Sequence, residues 1–344
     1  MIKADSPEPT AILVRAAETV DVWPPFHFDE QRLSNLSLVV TGRRAAVLGF
    51  SDPDIEAVAL HFDGPVTLEF FRRLVGPGAE EIPAPPPGVK AAAADPADAA
   101  AIRLMKIARL LPAVISVPIA SSQIETWIKD AGRVCVSAGD VESYDVRLAD
   151  DLRPISEARV PLRACEDTRI ISFRPKDGGA EHLAIVIGSP DTEKPVLTRL
   201  HSECFTGDLL GSLRCDCGDQ LQGAIEAIAK EGSGVLLYLA QEGRGIGLVN
   251  KLRAYALQDQ GFDTIDANEQ LGFDDDERLY LPAARMLRAL QISKIRLLTN
   301  NPAKVGAMAR HGIEVVARIP HVFPPNDHNR SYLQAKAKRS GHLF

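Results

Sequence analysis

No apolar run in these 344 residues reaches the roughly 18 needed to cross a bilayer as a helix. A membrane-spanning role is therefore not expected. The opening residues, Met1-Ile-Lys-Ala-Asp-Ser-Pro-Glu, lack the basic-then-apolar order of a secretory leader. Cysteine is scarce: five residues, an odd number, mostly gathered in one place. That is no disulfide framework, and a reducing cytoplasm is the expected location. Positive charge is in deficit, with a net charge of -7, so the surface as a whole repels nucleic acid. What is present, 45% hydrophobic and 25% charged residues, is the balance of a soluble globular chain long enough for two domains.

Composition shifts near residues 80–100, where Pro83, Pro85, Pro86 and Pro87 precede an alanine-rich stretch. That region reads as a semi-rigid linker or surface loop. Before it, 38–48 and 55–68 mix strand and helix signals. After it, 101–111 reads as an amphipathic helix through Ile102, Met105, Ile107 and Leu111, and 113–148 as further β-rich runs. No repeat and no metal or phosphate motif lies in this half. The second half alternates apolar strands (183–188, 195–201, 234–240, 294–299, 314–317) with helices (219–230, 248–258, one from Pro282, 302–311). The expected fold is α/β: a mixed sheet flanked by helices over 157–344, preceded by a separate α+β domain over 1–150.

Cys204, Cys215 and Cys217 fall within fourteen residues, spaced Cys-x10-Cys-x-Cys. Thiolates that close together hold a soft divalent metal, and with no methionine nearby zinc is favoured over iron or copper. Thr206, Gly207 and Asp208 let the gap double back. Isolated cysteines are ordinarily small core residues, which is how Cys135 and Cys165 read. Two zinc arrangements stay open. Water fills the fourth position and is acidified toward neutral pH, or His201 closes a structural site.

Gln241-Glu-Gly-Arg-Gly-Ile-Gly follows a strand and opens a helix, where free N–H groups and the helix dipole favour anions. It matches neither the dinucleotide fingerprint nor the P-loop, and glycine in such turns has a plain steric reading. Arg244 in its middle points to a phosphate contact. Asp274-Asp-Asp-Glu-Arg278 reads either as a solvated loop or as an acid–base and phosphate-handling pair. Thr299-Asn-Asn-Pro-Ala-Lys304 sets a hydroxyl and an amine at a strand end, where they can meet phosphate or a base edge. With Arg199, Arg214, Arg253 and Arg278, these segments form a local cationic site in an acidic protein, suited to a small polyanion. From residues alone, the chain is a zinc hydrolase acting on a small phosphorylated molecule.

The run Arg199-Leu-His-Ser-Glu-Cys204-Phe-Thr-Gly-Asp-Leu-Leu-Gly-Ser-Leu-Arg-Cys215-Asp-Cys217-Gly closely resembles GTP cyclohydrolase II, the first committed enzyme of riboflavin synthesis. So do Gln241-Glu-Gly-Arg-Gly-Ile-Gly-Leu, Lys251-Leu-Arg-Ala-Tyr-Ala-Leu-Gln-Asp-Gln-Gly, Ala267-Asn-Glu-Gln-Leu-Gly-Phe, Leu297-Leu-Thr-Asn-Asn-Pro and the tail 326–342. The resemblance covers about 157–344. It implies hydrolytic opening of the guanine imidazole ring at C8, loss of formate, and release of pyrophosphate, leaving a diaminopyrimidinone ribosylamine phosphate. It further implies Cys204, Cys215 and Cys217 as zinc ligands, with the water on the metal as nucleophile. Asp276 becomes the proton acceptor, Arg278 the group that meets the α-phosphate, and Tyr255 the residue that completes ring opening. Arg199, Leu200, His201, Ser202, Glu203, Gln220, Glu242, Gly243, Arg244, Thr264, Thr299 and Lys304 are placed around GTP. Within that set, Glu242 accepts hydrogen bonds from the guanine N1–H and amino group. Magnesium on the triphosphate and a homodimer complete the implied picture.

Bifunctional members of that family carry dihydroxybutanone phosphate synthase ahead of the cyclohydrolase. Its acidic Asp-Glu-Asp-Arg-Glu-Asn-Glu-Gly loop has no counterpart in residues 1–150, where Gly42-Arg-Arg-Ala-Ala-Val-Leu-Gly-Phe is the nearest hint of an eroded version. This half is expected to have no synthase activity and a structural or dimer-supporting role. Three other functions compete. A sister enzyme that retains the formyl group is opposed by Tyr255. A catalytically silent nucleotide-binding regulator is opposed by the intact Cys204, Cys215, Cys217, Asp276 and Arg278. A nucleic-acid-binding zinc module is opposed by the acidic balance and the missing fourth sulfur.

Overall fold

The computed structural model describes residues 1–4, 11–19, 36–50, 54–64, 68–76, 85–129 and 134–329. Pro83 and the part of the tail beyond 329 lie outside the described residues. The chain forms two compact units, Met1–Tyr144 with Val249–Glu277, and Asp145–Leu248 with Arg278–Phe344. A reading of the sequence alone sets one border between 150 and 157. The fold adds a departure from it, because Val249–Glu277 packs into the N-terminal unit through contacts with residues far away in sequence.

The first unit is built on a seven-stranded sheet of order β5-β4-β3-β6-β2-β1-β7. Its strands are β1 (Ile2–Lys3), β2 (Ala11–Ala16), β3 (Ser37–Thr41), β4 (Ala57–Phe62), β5 (Val89–Ala93), β6 (Ala113–Ile119) and β7 (Val136–Ser137). All neighbours are antiparallel except β1 and β7. The helix Pro96–Ile107 buries Ala97, Ala101, Ile102 and Met105 against Val39, Ala59 and Val114 of the sheet.

Two expectations change here. The loop near 80–100 gives way, from Val89, to the edge strand β5. Asp95 then caps the following helix by accepting the Asp98 N–H, with Pro96 in its first turn, where a missing N–H does no harm. Beyond β6, the stretch to 148 is largely helical rather than β-rich, with helices Ile124–Lys129, Ala138–Glu142 and Tyr144–Asp150. Ser137 starts the second of these by accepting the Asp140 N–H.

The second unit holds β8 (Arg153–Arg159), β9 (Thr168–Arg174), β10 (His182–Ile187), β11 (Val196–Ser202), β12 (Gly234–Leu239), β13 (Lys294–Leu298) and β14 (Glu314–Ile319), in the order β14-β13-β11-β12-β10-β9-β8. The β14-β13-β11-β12 half is parallel and the β10-β9-β8 half is an antiparallel meander. The central parallel strands β11 and β12 are buried on both faces, which is why they read as nearly unbroken aliphatic runs, whereas the edge strand β14 stays partly exposed. Along β12, Val235, Leu237 and Leu239 face Ala283, Met286 and Met308 of the helices Leu281–Ala289 and Pro302–Arg310. Leu236 faces Ala224, Ile225 and Ile228 of the helix Cys217–Glu231. Each such leucine contributes roughly 1.5–3 kcal/mol by leaving water.

Candidate active site

From β11 the chain crosses by the helix Cys217–Glu231 to β12 on one side, and later returns to β13 on the other. A reversal of this kind opens a crevice at the carboxyl ends of the strands. Cys204, Glu242 and Thr299 each follow within three residues of the ends of β11, β12 and β13.

A short π-helical turn, Phe205–Leu209, folds the chain back so that the sulfurs of Cys204, Cys215 and Cys217 lie within 4.8 Å of one another. Cys204 Sγ and Cys215 Sγ are 3.7 Å apart. Tetrahedral zinc with Zn–S bonds of about 2.3 Å separates two sulfurs by about 3.8 Å, so this donor set fits that ion. Gly207 permits the approach. A Cβ there would stand 2.8 Å from Cys215 Sγ, 2.9 Å from Cys217 Cβ and 3.0 Å from Cys204 Sγ. Gly207→Ala is expected to force the sulfurs apart and weaken zinc about 10- to 100-fold. Competition with a chromogenic chelator reads that change, and unchanged affinity would contradict it. Packed together, two of the thiols are raised in pKa: the hydrogen bond from Cys204, with burial, pushes Cys215 up to about 11, and Cys217 is raised well above its ordinary value. A divalent cation among them inverts that preference.

Asp208, the last acid of the gap, fixes the first ligand. Its carboxylate accepts the Cys204 N–H (3.0 Å), the Tyr238 hydroxyl (2.9 Å) and the His201 Nε2–H (3.1 Å). Burial lowers the His201 pKa, so the ring is neutral near pH 7 and Asp208 selects its Nε2–H tautomer. His201 stacks on Tyr238 with ring centroids 5.6 Å apart. Among the described residues the metal-capable group is the three cysteines, and His201 is not in it. The closed site with His201 as fourth ligand is therefore not the one the fold builds.

Arg199 lies on the same face of β11 and is 5% exposed. It donates to Leu298 O (2.9 Å) and to Gln220 Oε1, and desolvation lowers its pKa to about 10, still charged at neutral pH. Its Nε, with His201 Nδ1 and Ser202 Oγ, is buried without a protein hydrogen-bond partner, a state that native proteins keep for ligands, water or function. Across the crevice Lys304 Nζ donates to Leu200 O (2.9 Å), and Thr299 Oγ1 accepts the Asn301 N–H (3.0 Å). Glu203 donates its backbone N–H to Leu239 O (2.8 Å).

Glu242, 4% exposed, begins the glycine turn. One carboxylate oxygen accepts the Phe205 N–H (2.6 Å) and the other the Gly243 N–H (2.7 Å). Gly243 and Arg244 both take left-handed backbone, at φ 63° and 61°. An arginine there is uncommon and marks a turn held by its surroundings. Arg278 begins the second part of this unit, its guanidinium 5.7 Å from the centroid of the Tyr280 ring.

Three expected site residues belong to the other unit, on Val249–Glu277. Tyr255 sits on the helix Leu248–Asp259 with Lys251 Nζ 5.7 Å from its ring centroid. Thr264 opens the helix Thr264–Gln270, which Asp263 caps, and its Oγ1 accepts from Gln258 Nε2 (3.3 Å). Asp276 lies in the loop beyond that helix. Residues that sequence reasoning passed over are Asp208, Tyr238, Gly207 as a packing necessity, and His321. The last bonds Gln220 O (2.8 Å), and burial, with the charge of Arg199, brings its pKa down to about 4. A hydroxyl inside an otherwise aliphatic strand was the available signal for Tyr238. Nothing local marks His321.

Fold and site together define an enzyme of the mixed α/β class, with a cysteine-built centre at the carboxyl end of its parallel strands. Residues 153–320 match the family model described as GTP cyclohydrolase II. The GTP cyclohydrolase-2 of Azospirillum brasilense is 54% identical over 323 residues, spanning 91% of this chain and 84% of its own. That of Shigella boydii is 50% identical over 193 residues, 56% of this chain and 98% of its own length. A solved two-domain 3,4-dihydroxy-2-butanone 4-phosphate synthase from A. baumannii aligns over 94% of this chain and 95% of its own at 15% identity, but with a TM-score of 0.34 it supports no comparison of folds. This chain belongs to the GTP cyclohydrolase II family. It is an enzyme, a hydrolase of the GTP-consuming step in riboflavin synthesis.

Proposed function

We propose that the chain opens the imidazole ring of GTP at C8 in a zinc-dependent reaction that releases formate and pyrophosphate and leaves the diaminopyrimidinone ribosylamine phosphate. The observation that carries this reading is the closure of three sulfurs around Gly207 beside a buried, charged Arg199. Zinc held by Cys204, Cys215 and Cys217 would supply the Lewis acidity that brings the pKa of water toward 7.

The protein's own groups do the rest. Glu242 is fixed by two backbone N–H donors, and its carboxylate, an acceptor-only group when ionised, suits the guanine N1–H and amino group. Adenine offers no such pair of donors. Arg199, Leu200, His201 and Ser202 of β11, with Glu203 just beyond it and Gln220 from the helix Cys217–Glu231, form one wall. Arg244 and Gly243 meet phosphate from the glycine turn, and Thr299, Thr264 and Lys304 complete the nucleotide's surroundings. Lys304 keeps Leu200 O as an anchor while its ammonium carries three N–H donors in all. Magnesium bound with the nucleotide would offset the negative charge of the triphosphate. Arg278, permanently cationic, stabilises charge at the α-phosphate as pyrophosphate leaves. Asp276 accepts the proton and Tyr255 completes ring opening. The proposed state is a cytoplasmic homodimer, a reading supported by the exposed apolar side chains of Leu209, Leu210 and Leu213. None of the described helices is long and apolar enough to cross a membrane.

Incubation with GTP and magnesium, with and without a zinc chelator, tests the reading through ultraviolet spectra and formate release. Tyr255→Phe is expected to yield a product that keeps the formyl group, while pyrophosphate release stays within about tenfold of the parent rate. Mass spectrometry separates the two products, and stoichiometric formate from the variant would remove Tyr255 from that role.

A further inference from the structure

We infer that the N-terminal 144 residues act in this reaction as a positioning scaffold, with Arg43 and Lys106 clamping the acidic loop that carries Asp276. The inference rests on the role proposed above for that aspartate. Tyr255, Thr264 and Asp276 all ride on Val249–Glu277, a segment of the second half that belongs to the first unit. The segment is pinned near its start and over its last eight residues by residues of the N-terminal half.

At its start, Asn250 Nδ2 donates to Arg109 O (3.0 Å), and Arg253 bonds Glu18 Oε2 (2.9 Å), which also accepts the Leu111 N–H (2.8 Å). Toward its end, Thr41 Oγ1 donates to Gly272 O (2.7 Å), and Arg44 Nη1 donates to Gln270 O (2.8 Å). The remaining Arg44 donors go to Leu74 O, Arg73 O and Gly76 O, so a single buried guanidinium ties the segment to the end of the helix Leu68–Val75. Gly272 is at φ +84°, and a Cβ there would lie 3.0 Å from Thr41 Oγ1 and 3.2 Å from Pro112 Cγ. At its end, Arg43 Nε donates to Asp274 Oδ1 (2.8 Å), and Lys106 Nζ donates to Glu277 Oε1 (2.6 Å) and lies 3.5 Å from Asp274 Oδ2. Glu277 Oε1 also accepts the Asp274 N–H (3.0 Å).

These ion pairs are not surface decoration. Lys106, Arg43 and Glu277 are three-quarters or so buried, and Asp274 about half. Burial alone would raise the Asp274 pKa, yet the hydrogen bond from Arg43 and the charges of Lys106 and Arg43 hold it below its ordinary value. The two clamped carboxylates stand two residues before Asp276 and one after it. A loop of consecutive acids repels itself, and two cations from another part of the chain fix its path at both ends. Small displacements of a reacting group cost rate heavily, about 100-fold for 1 Å. Arg43 and Lys106 are therefore positioning residues.

The test is steady-state turnover of GTP by the full-length zinc-loaded enzyme and by Arg43→Gln/Lys106→Met. Arg43→Lys and Lys106→Arg serve as conservative variants, and Lys90→Ala, which breaks the exposed pair with Asp63, serves as a control. The expected result is a loss of kcat by at least about tenfold with KM and zinc content near those of the parent, recovery in the conservative variants, and no effect in the control. Unchanged kcat in an otherwise active enzyme would overturn the clamp and leave the proposed reaction standing. Loss of zinc, or of the folded state by thermal melting, would also overturn it, by showing a merely structural role. A parent enzyme that releases no formate from GTP would instead sink the reaction itself, and the clamp with it.

Discussion

Cys215→Ser is expected to reduce GTP turnover by at least about 10³-fold while the protein stays folded. The oxygen replaces a sulfur 3.7 Å from Cys204 Sγ, and a neutral hydroxyl is a poor ligand for zinc where a thiolate is a strong one. The several kcal/mol of charge stabilisation that a metal supplies then disappear, at 1.36 kcal/mol per tenfold in rate. The fold should survive because serine nearly matches cysteine in volume. The unit also has large apolar clusters on both faces of its sheet, and these do not depend on the metal. Zinc analysis, circular dichroism and formate release on the same sample check all three statements. A folded, zinc-poor variant with parent activity would contradict them.

Glu242→Gln should lower kcat/KM for GTP by about 10²- to 10³-fold and narrow the preference for GTP over inosine triphosphate, whose base lacks the exocyclic amine. The carboxylate accepts from Phe205 N–H and Gly243 N–H at 2.6 and 2.7 Å. An amide must turn its NH₂ toward one of those donors or toward the base, leaving a buried donor facing a donor. Each such conflict costs about 1–3 kcal/mol, more where a charge had been the acceptor. Parallel kinetics on the two nucleotides measure the effect, and an undiminished preference would assign guanine recognition elsewhere.

Much of this was legible in the sequence because short-range spacing carries it. The cysteine triple needed only a turn to bring its sulfurs together, and Thr206, Gly207 and Asp208 announced one. The aliphatic runs became β10, β11, β12 and β13, since strands inside a sheet covered by helices need apolar residues on both faces. Polar stretches hid more. β8 and β9 were missed because alternating charged residues such as Arg153, Glu157, Arg159 and Arg169 give no aliphatic run. The strand β5 was hidden by alanines behind a proline cluster, its signal being the partner β4 rather than its own residues. The attachment of Val249–Glu277 to the N-terminal unit was invisible, because it depends on Thr41, Arg43, Arg44 and Lys106, more than 140 residues away in the chain. Asp208 was read as a turn former, and its second task as the shared acceptor for Cys204, His201 and Tyr238 appears only once β11 and β12 lie side by side.

The most direct measurement uses GTP labelled with ¹³C at C8, followed by NMR in the presence of magnesium, before chelation of the purified enzyme, after it, and after zinc is restored. The account predicts labelled formate in the first and third states and intact GTP in the second. Labelled formate at an undiminished rate from the thoroughly chelated enzyme would contradict it.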